Sequence, residues 1–197
     1  MIRFVALSCA VGALAGCPTT TEDPCGEPAY GGVASDEAYL TIVDAFDKVS
    51  ADDDQAPQLT TPEDGAVLAK DGDAPTFAWT SSLSASLGPS WPQPSFRRRA
   101  PSLLDELSQL VLPVAHAHLP PVTGDIYLVE IAVPGRECPV RGLTTDLEWQ
   151  LDEASWTALQ ESGGQELTLR MISAFLVENR LSEGPFEPSS KRSFRVE

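Results

Sequence analysis

Few side chains in this sequence have the type and spacing that chemistry needs. His116 and His118 are the only histidines among its 197 residues. In an extended segment a spacing of two puts both imidazoles on one face, which is how a metal-ligating pair is presented. Metal sites ordinarily take three or four ligands, and the nearest following carboxylate, Asp125, is seven residues on, behind Pro120-Pro121. The pair therefore carries a metal-binding expectation, with polar loop histidines as the alternative. Asp47 and Asp52-Asp53-Asp54 offer oxygen ligands for calcium, but the D-x-D-x-D-G spacing of a calcium loop is absent, so a solvated acidic linker is the expectation there. Arg97-Arg98-Arg99 is the single basic cluster. Its readings are a solvated loop, an intramolecular partner for the acidic stretch, a contact for phosphate or lipopolysaccharide, or a site of proteolytic processing. Four cysteines stand at 9, 17, 25 and 138 without C-x-x-C spacing or an adjacent base. No G-x-S-x-G, H-E-x-x-H, P-loop or Gly-rich dinucleotide turn occurs, so no catalytic residue is assigned, no cofactor is implied, and the expectation is a protein that is not an enzyme.

Composition narrows the class further. The chain carries 29 acidic and 13 basic residues, a net −16, which disfavours nucleic acid and electrostatic docking on an anionic membrane face. Its 42% hydrophobic content suffices for a globular core, and its length suits one domain with appendages. Acidity is uneven. The stretch from Asp36 to Asp73 holds 11 acidic residues against 2 basic, which suggests that the charge belongs to the side where the chain enters the fold.

Residues 1–16 have the layout of a signal peptide: Arg3, then an apolar run from Phe4 to Ala15 broken by Ser8 and Gly12. The run is shorter than the roughly 20 residues that cross a bilayer. Leu14-Ala15-Gly16-Cys17 resembles the lipobox of bacterial lipoproteins. The resemblance implies cleavage before Cys17 and its acylation with diacylglycerol and palmitate chains, enough for firm attachment. The alternative is an ordinary secretory peptide, cleaved after Ala13-Leu14-Ala15. In such lipoproteins of Gram-negative bacteria an Asp after the lipidated Cys commonly retains the protein in the inner membrane; here that residue is Pro18. The resemblance thus implies an exported protein anchored in the outer membrane, on its periplasmic or surface face. Removal of Cys9 with the leader and lipidation of Cys17 would leave Cys25 and Cys138, which in an oxidising compartment are expected to form a disulfide, with two free thiols as the alternative.

These residues need elements to position them. Residues 17–57 read as a lipidated tether: a Pro-, Thr- and Gly-rich leash over 18–34, a short helix over 36–49 with Ser35 as N-cap and Tyr39, Ile42, Val43 and Phe46 on one face, then an acidic linker. From 58 to 197 the pattern changes to short alternating runs separated by turns. These are a strand, a turn at Glu63-Asp64-Gly65, a strand, a turn at 72–73 and a strand bearing Phe77 and Trp79, followed by strands at 126–133, 147–151, 166–177 and 191–196. In the 166–177 run Leu167, Leu169, Met171, Phe175 and Val177 share one face. A helical turn is expected within 152–164 around Ala154, Trp156 and Leu159. Pro57, Leu59, Pro62, Gly65 and Trp79 resemble the opening of fibronectin type III and immunoglobulin-like modules, which implies an all-β antiparallel sandwich. Residues 58–80 and 124–197 make 97 residues, against about 100 for such a domain, leaving 81–123 as an insertion. The insertion holds a Ser- and Pro-rich loop and a helical pattern over 102–112. It covers the open end of the domain or binds an envelope partner. The functional expectation is a lipid-anchored, non-enzymatic interaction module of the cell envelope, with periplasmic or surface metal binding through His116 and His118 as the alternative.

Overall fold

The computed structural model describes residues 25–81 and 120–197. Cys17, Arg97–Arg99, the 102–112 helical pattern, His116 and His118 lie outside the described residues. What is described is mostly β-sheet with two α-helices. The strands are β1 (Ala29–Gly31), β2 (Ser50–Ala51), β3 (Gln58–Thr61), β4 (Ala66–Leu68), β5 (Thr76–Thr80), β6 (Gly124–Ala132), β7 (Val140–Thr144), β8 (Glu148–Gln150), β9 (Leu167–Val177), β10 (Arg180–Glu187) and β11 (Arg192–Val196). The helices are α1 (Asp36–Val43) and α2 (Glu153–Gln160), with a 3₁₀ turn at Phe46–Lys48.

Both helices start where a side-chain oxygen takes up an orphan N–H. Ser35 accepts from Ala38 N and Asp152 from Ser155 N. Acidic residues in each first turn, Asp36 and Glu37 in α1 and Glu153 in α2, complement the helix dipole. The helix expected over 36–49 ends at Val43, after the β-branched run Thr41-Ile42-Val43 that weakens helix propensity. Phe46 reaches the core from the 3₁₀ turn instead.

The strands form two sheets. In the larger the order is β1-β7-β6-β9-β10-β2; β11 also pairs with β9 and carries β4 on its far side. β9 is long enough to serve two neighbours. Its C-terminal part pairs with β10, and its N-terminal part with β11 through Leu169↔Arg192 to Leu167↔Phe194. The smaller sheet is β3-β5-β8. A purely antiparallel arrangement is corrected by three parallel pairings, β1 with β7, β2 with β10 and β4 with β11. Each brings a short segment from early in the chain against a late strand running the same way.

One core lies between the two sheets and takes Phe77, Trp79, Tyr127, Val129, Ile131, Trp149, Leu167, Leu169, Met171 and Phe194, closed at one end by Trp156 and Leu159 of α2. A second core lies on the opposite face of the large sheet, where α1 buries Ala38, Tyr39 and Ile42 against Ile126, Leu128, Leu143, Ile172, Ala174 and Leu176. The single apolar face expected for the 166–177 run is therefore corrected. Its odd positions up to Met171 enter the first core, Ile172, Ala174 and Leu176 enter the second, and Val177 is exposed. A strand covered on both faces reads as a continuous apolar run, and period-two counting assigns only one of its faces.

The stretch expected as a leash differs as well. From Cys25 onward it is part of the fold, forming β1 and burying Pro28 and Ala34.

Candidate functional site

Strand direction divides the molecule into two ends. β6 runs from Gly124 to Ala132, and its neighbours β7 and β9 run oppositely. The β6–β7 turn, which holds Cys138, is thus at one end. Ser81, Pro120 and the β9–β10 turn at Glu178-Asn179 are at the other.

At the first end Cys25 and Cys138 form a disulfide with Cα atoms 5.3 Å apart across 113 residues of sequence. Arg141, in β7, reinforces this closure. Although charged, it is 8% exposed. It donates to the Tyr39 hydroxyl at 2.5 Å and to the Gly26 carbonyl at 2.6 Å, and its guanidinium lies 5.7 Å from the Tyr39 ring centre. One buried cation so joins the segment after Cys25, helix α1 and the large sheet. Hydrogen bonds to charged groups are among the stronger ones. No sequence signal identified Arg141, because its partner Tyr39 is 102 residues away.

The second end is a knot of polar contacts around Ser81 and Val122–Asp125, on either side of residues 82–119. Asp125 Oδ2 accepts from the Ser81 hydroxyl at 3.2 Å and from the Tyr127 hydroxyl at 3.3 Å. Val122 N donates to Asn179 Oδ1 at 2.6 Å, Asn179 N to the Val122 carbonyl at 2.9 Å, and Glu178 N to Thr123 Oγ1 at 3.0 Å. Thr41 of α1 donates to the Asn179 carbonyl at 2.7 Å. Glu178 and Asn179 both have positive φ, 50° and 61°, the backbone of a two-residue hairpin turn whose twist matches its strands. An Asn two residues after the apolar run of β9 was the available signal for this turn. Just inside, Trp79 and Tyr127 pack with ring centres 5.4 Å apart. Trp79 Nε1 and Ser173 Oγ are buried without a hydrogen-bond partner among the described residues.

Of the acidic residues weighed for calcium, Asp52 and Asp53 accept hydrogen bonds from nearby chain. Asp52 accepts from Asp54 N, Gln55 N and the Gln55 side chain. Asp53 accepts from Ser189 N and the Ser189 hydroxyl, which hold its carboxyl below the ordinary carboxylate range. Among the described residues no three His, Cys, Asp or Glu side chains come together to hold a metal. The acidity of residues 36–73 is not confined to one side either. It runs from α1, beside the Asn179 turn, to Asp71 and Asp73, beside α2. Arg170 bridges Glu130 at 3.2 Å and Glu187 at 2.6 Å beneath Phe46. Burial acts to depress its pKa, and the two carboxylates outweigh that and raise it. This is a clamp of β10 and the 3₁₀ turn onto the sheet.

Among the described residues no helix is long and apolar enough to cross a membrane. The chain matches no family model, no curated protein and no solved structure.

Proposed function

We propose that this chain is a lipid-anchored, non-enzymatic module of the bacterial cell envelope, built on an immunoglobulin or fibronectin type III-like sandwich that offers the loops of one end to a partner. Strand order supports the sandwich reading. β3, β5 and β8 stand where strands A, B and E of such a domain stand, and β7, β6, β9 and β11 where C′, C, F and G stand. β4 beside β11 then extends the second sheet, and α1 is an addition that covers its outer face.

The observation that carries the binding reading is the convergence of two connections at one end. The insertion occupies the B–C connection, and its stems at Ser81 and Val122–Thr123 are bonded to or beside the Glu178-Asn179 turn that follows strand F. Immunoglobulin variable domains bind with the corresponding loops. Loops held on a rigid scaffold are where binding residues concentrate.

The test is crosslinking and pull-down of the tagged full chain from intact envelopes, alongside a variant in which 82–119 is replaced by a short Gly-Ser linker. A consistent partner lost in the linker variant supports the reading, and a partner retained by it, or none recovered with the native chain, overturns it. Anchoring is tested separately: Cys17→Ser should move the protein from the membrane fraction to the soluble one.

A further inference from the structure

We propose that the molecule stands on its membrane with the Cys25–Cys138 end toward the bilayer and the Ser81–Asn179 end pointing away. The inference rests on the reading of Cys17 as the lipid anchor, and it adds an orientation which that reading does not contain.

Three observations lead to it. The first is the point of attachment. Seven residues separate Cys17 from Cys25, a span of at most about 28 Å fully extended, and Cys25 is bonded to Cys138 in the β6–β7 turn. The Arg141 bond to the Gly26 carbonyl holds the next residue to the same strand pair. Fixation at Cys25 thus keeps the leash from lengthening as far as β1. The second is strand direction. The nine residues of β6 lead from that turn to the stem of the insertion, about 27 Å away at the rise of a β-strand. The near end is therefore always within one tether length of the lipid, while the far end gains a further domain length when the molecule is upright.

The third observation is charge. The near end exposes Glu27, Asp71, Asp73, Glu137, Glu153, Glu161 and Glu166 against Lys70, Arg136 and Arg195. Val67, on β4 beside Arg195, is an exposed large apolar residue at this end, while Val33, Leu40 and Val177 lie elsewhere. An anionic leaflet repels such a surface, but only within a Debye length of about 8–10 Å, well short of the tether's reach. The near end is so held close to the headgroups without inserting into them.

The experiment uses the full chain, produced in a Gram-negative host, extracted in detergent and reconstituted into phosphatidylethanolamine–phosphatidylglycerol vesicles containing an energy-acceptor lipid. A fluorescent amino acid is encoded in place of Arg136, at the near end, or of Arg180, at the far end; both are exposed. Intact mass first establishes whether Cys17 is acylated. With acylated protein, transfer from position 136 should exceed that from position 180 by about twofold or more across the roughly 27 Å between them. Equal or reversed transfer from acylated protein overturns the orientation and leaves the anchor reading standing. Protein without acyl chains overturns the anchor reading and the orientation with it.

Discussion

Gly142 shows how a single position can decide a packing arrangement. It sits in β7 facing Trp149, and a Cβ built there would fall 2.3 Å from Trp149 Cε2. The indole occupies the space that any other residue would fill, so the glycine is required by close approach and not by an unusual φ. Gly142→Ala should cost about 3 kcal/mol, at the upper end of overpacking penalties, read as a lowered urea midpoint with an unchanged m-value. A midpoint equal to that of the native chain would show that Trp149 has room to move. Arg141, the preceding residue, points to the other face of the same strand and binds Tyr39 and Gly26. Two adjacent residues thus serve the two cores, as the alternation of a strand demands.

At the scale of elements, α2 illustrates a short helix held at its start. Asp152 accepts from Ser155 N and from the Ser155 hydroxyl, each at 2.8 Å. Burial acts to raise its pKa, but the Ser155 N–H and hydroxyl and the Ala154 N–H outweigh it and hold the carboxyl below the ordinary range. A carboxyl with a depressed folded pKa contributes stability above its unfolded value and loses it as pH falls through the folded one. Asp152→Ala should therefore cost about 1 kcal/mol at neutral pH, a gap that shrinks below about pH 4. Urea midpoints of both proteins between pH 2 and 7 check this, and a gap independent of pH would exclude the charged cap as its source. Trp156, whose Nε1 donates to the Gly72 carbonyl at 3.2 Å, fixes the other side of the helix.

On the scale of the whole molecule, the disulfide links Cys25, four residues before β1, to the turn between two central strands. Closing a loop of 113 residues stabilises by up to about 5 kcal/mol in the chain-entropy account. The Cys25→Ser/Cys138→Ser double variant should accordingly melt well below the oxidised protein and no longer respond to reductant; an unchanged melting temperature would mean that Arg141 and α1 suffice to hold the segment. In vesicles the same double variant should narrow the difference in energy transfer between positions 136 and 180, since its effective leash runs on to β1. The two ends follow from topology. Cys138 and Asn179 occupy opposite ends because β6 and β9 run the length of the large sheet in opposite directions.

Local pattern was enough for the strands at 58–61, 66–68, 76–80, 124–132, 148–150, 167–177 and 192–196 and for the helical turn around Trp156, because alternation, turn residues and caps act over a few residues. The Cys25–Cys138 pairing was reached only with the lipobox resemblance, which implies that Cys9 and Cys17 are set aside and leaves two thiols. Local pattern did not suggest β1, β2, β7 or β10. These are short or carry Gly142, Arg141, Gly184 and Pro185, and their identity as strands comes from partners elsewhere in the chain. The second core under α1 was equally hidden, since the buried even positions of β9 become visible only when a helix from more than a hundred residues earlier covers them. Composition and spacing alone determined an acidic, β-rich chain; the leader, and with it the choice of Cys25 and Cys138 as the disulfide candidates, came from the resemblance of Leu14-Ala15-Gly16-Cys17 to a lipobox. Which residues meet at each end, and that Cys25 and Ser81 lie at opposite ends, was decided only by the tertiary structure, because strand direction and register are set by long-range pairing that no local pattern encodes.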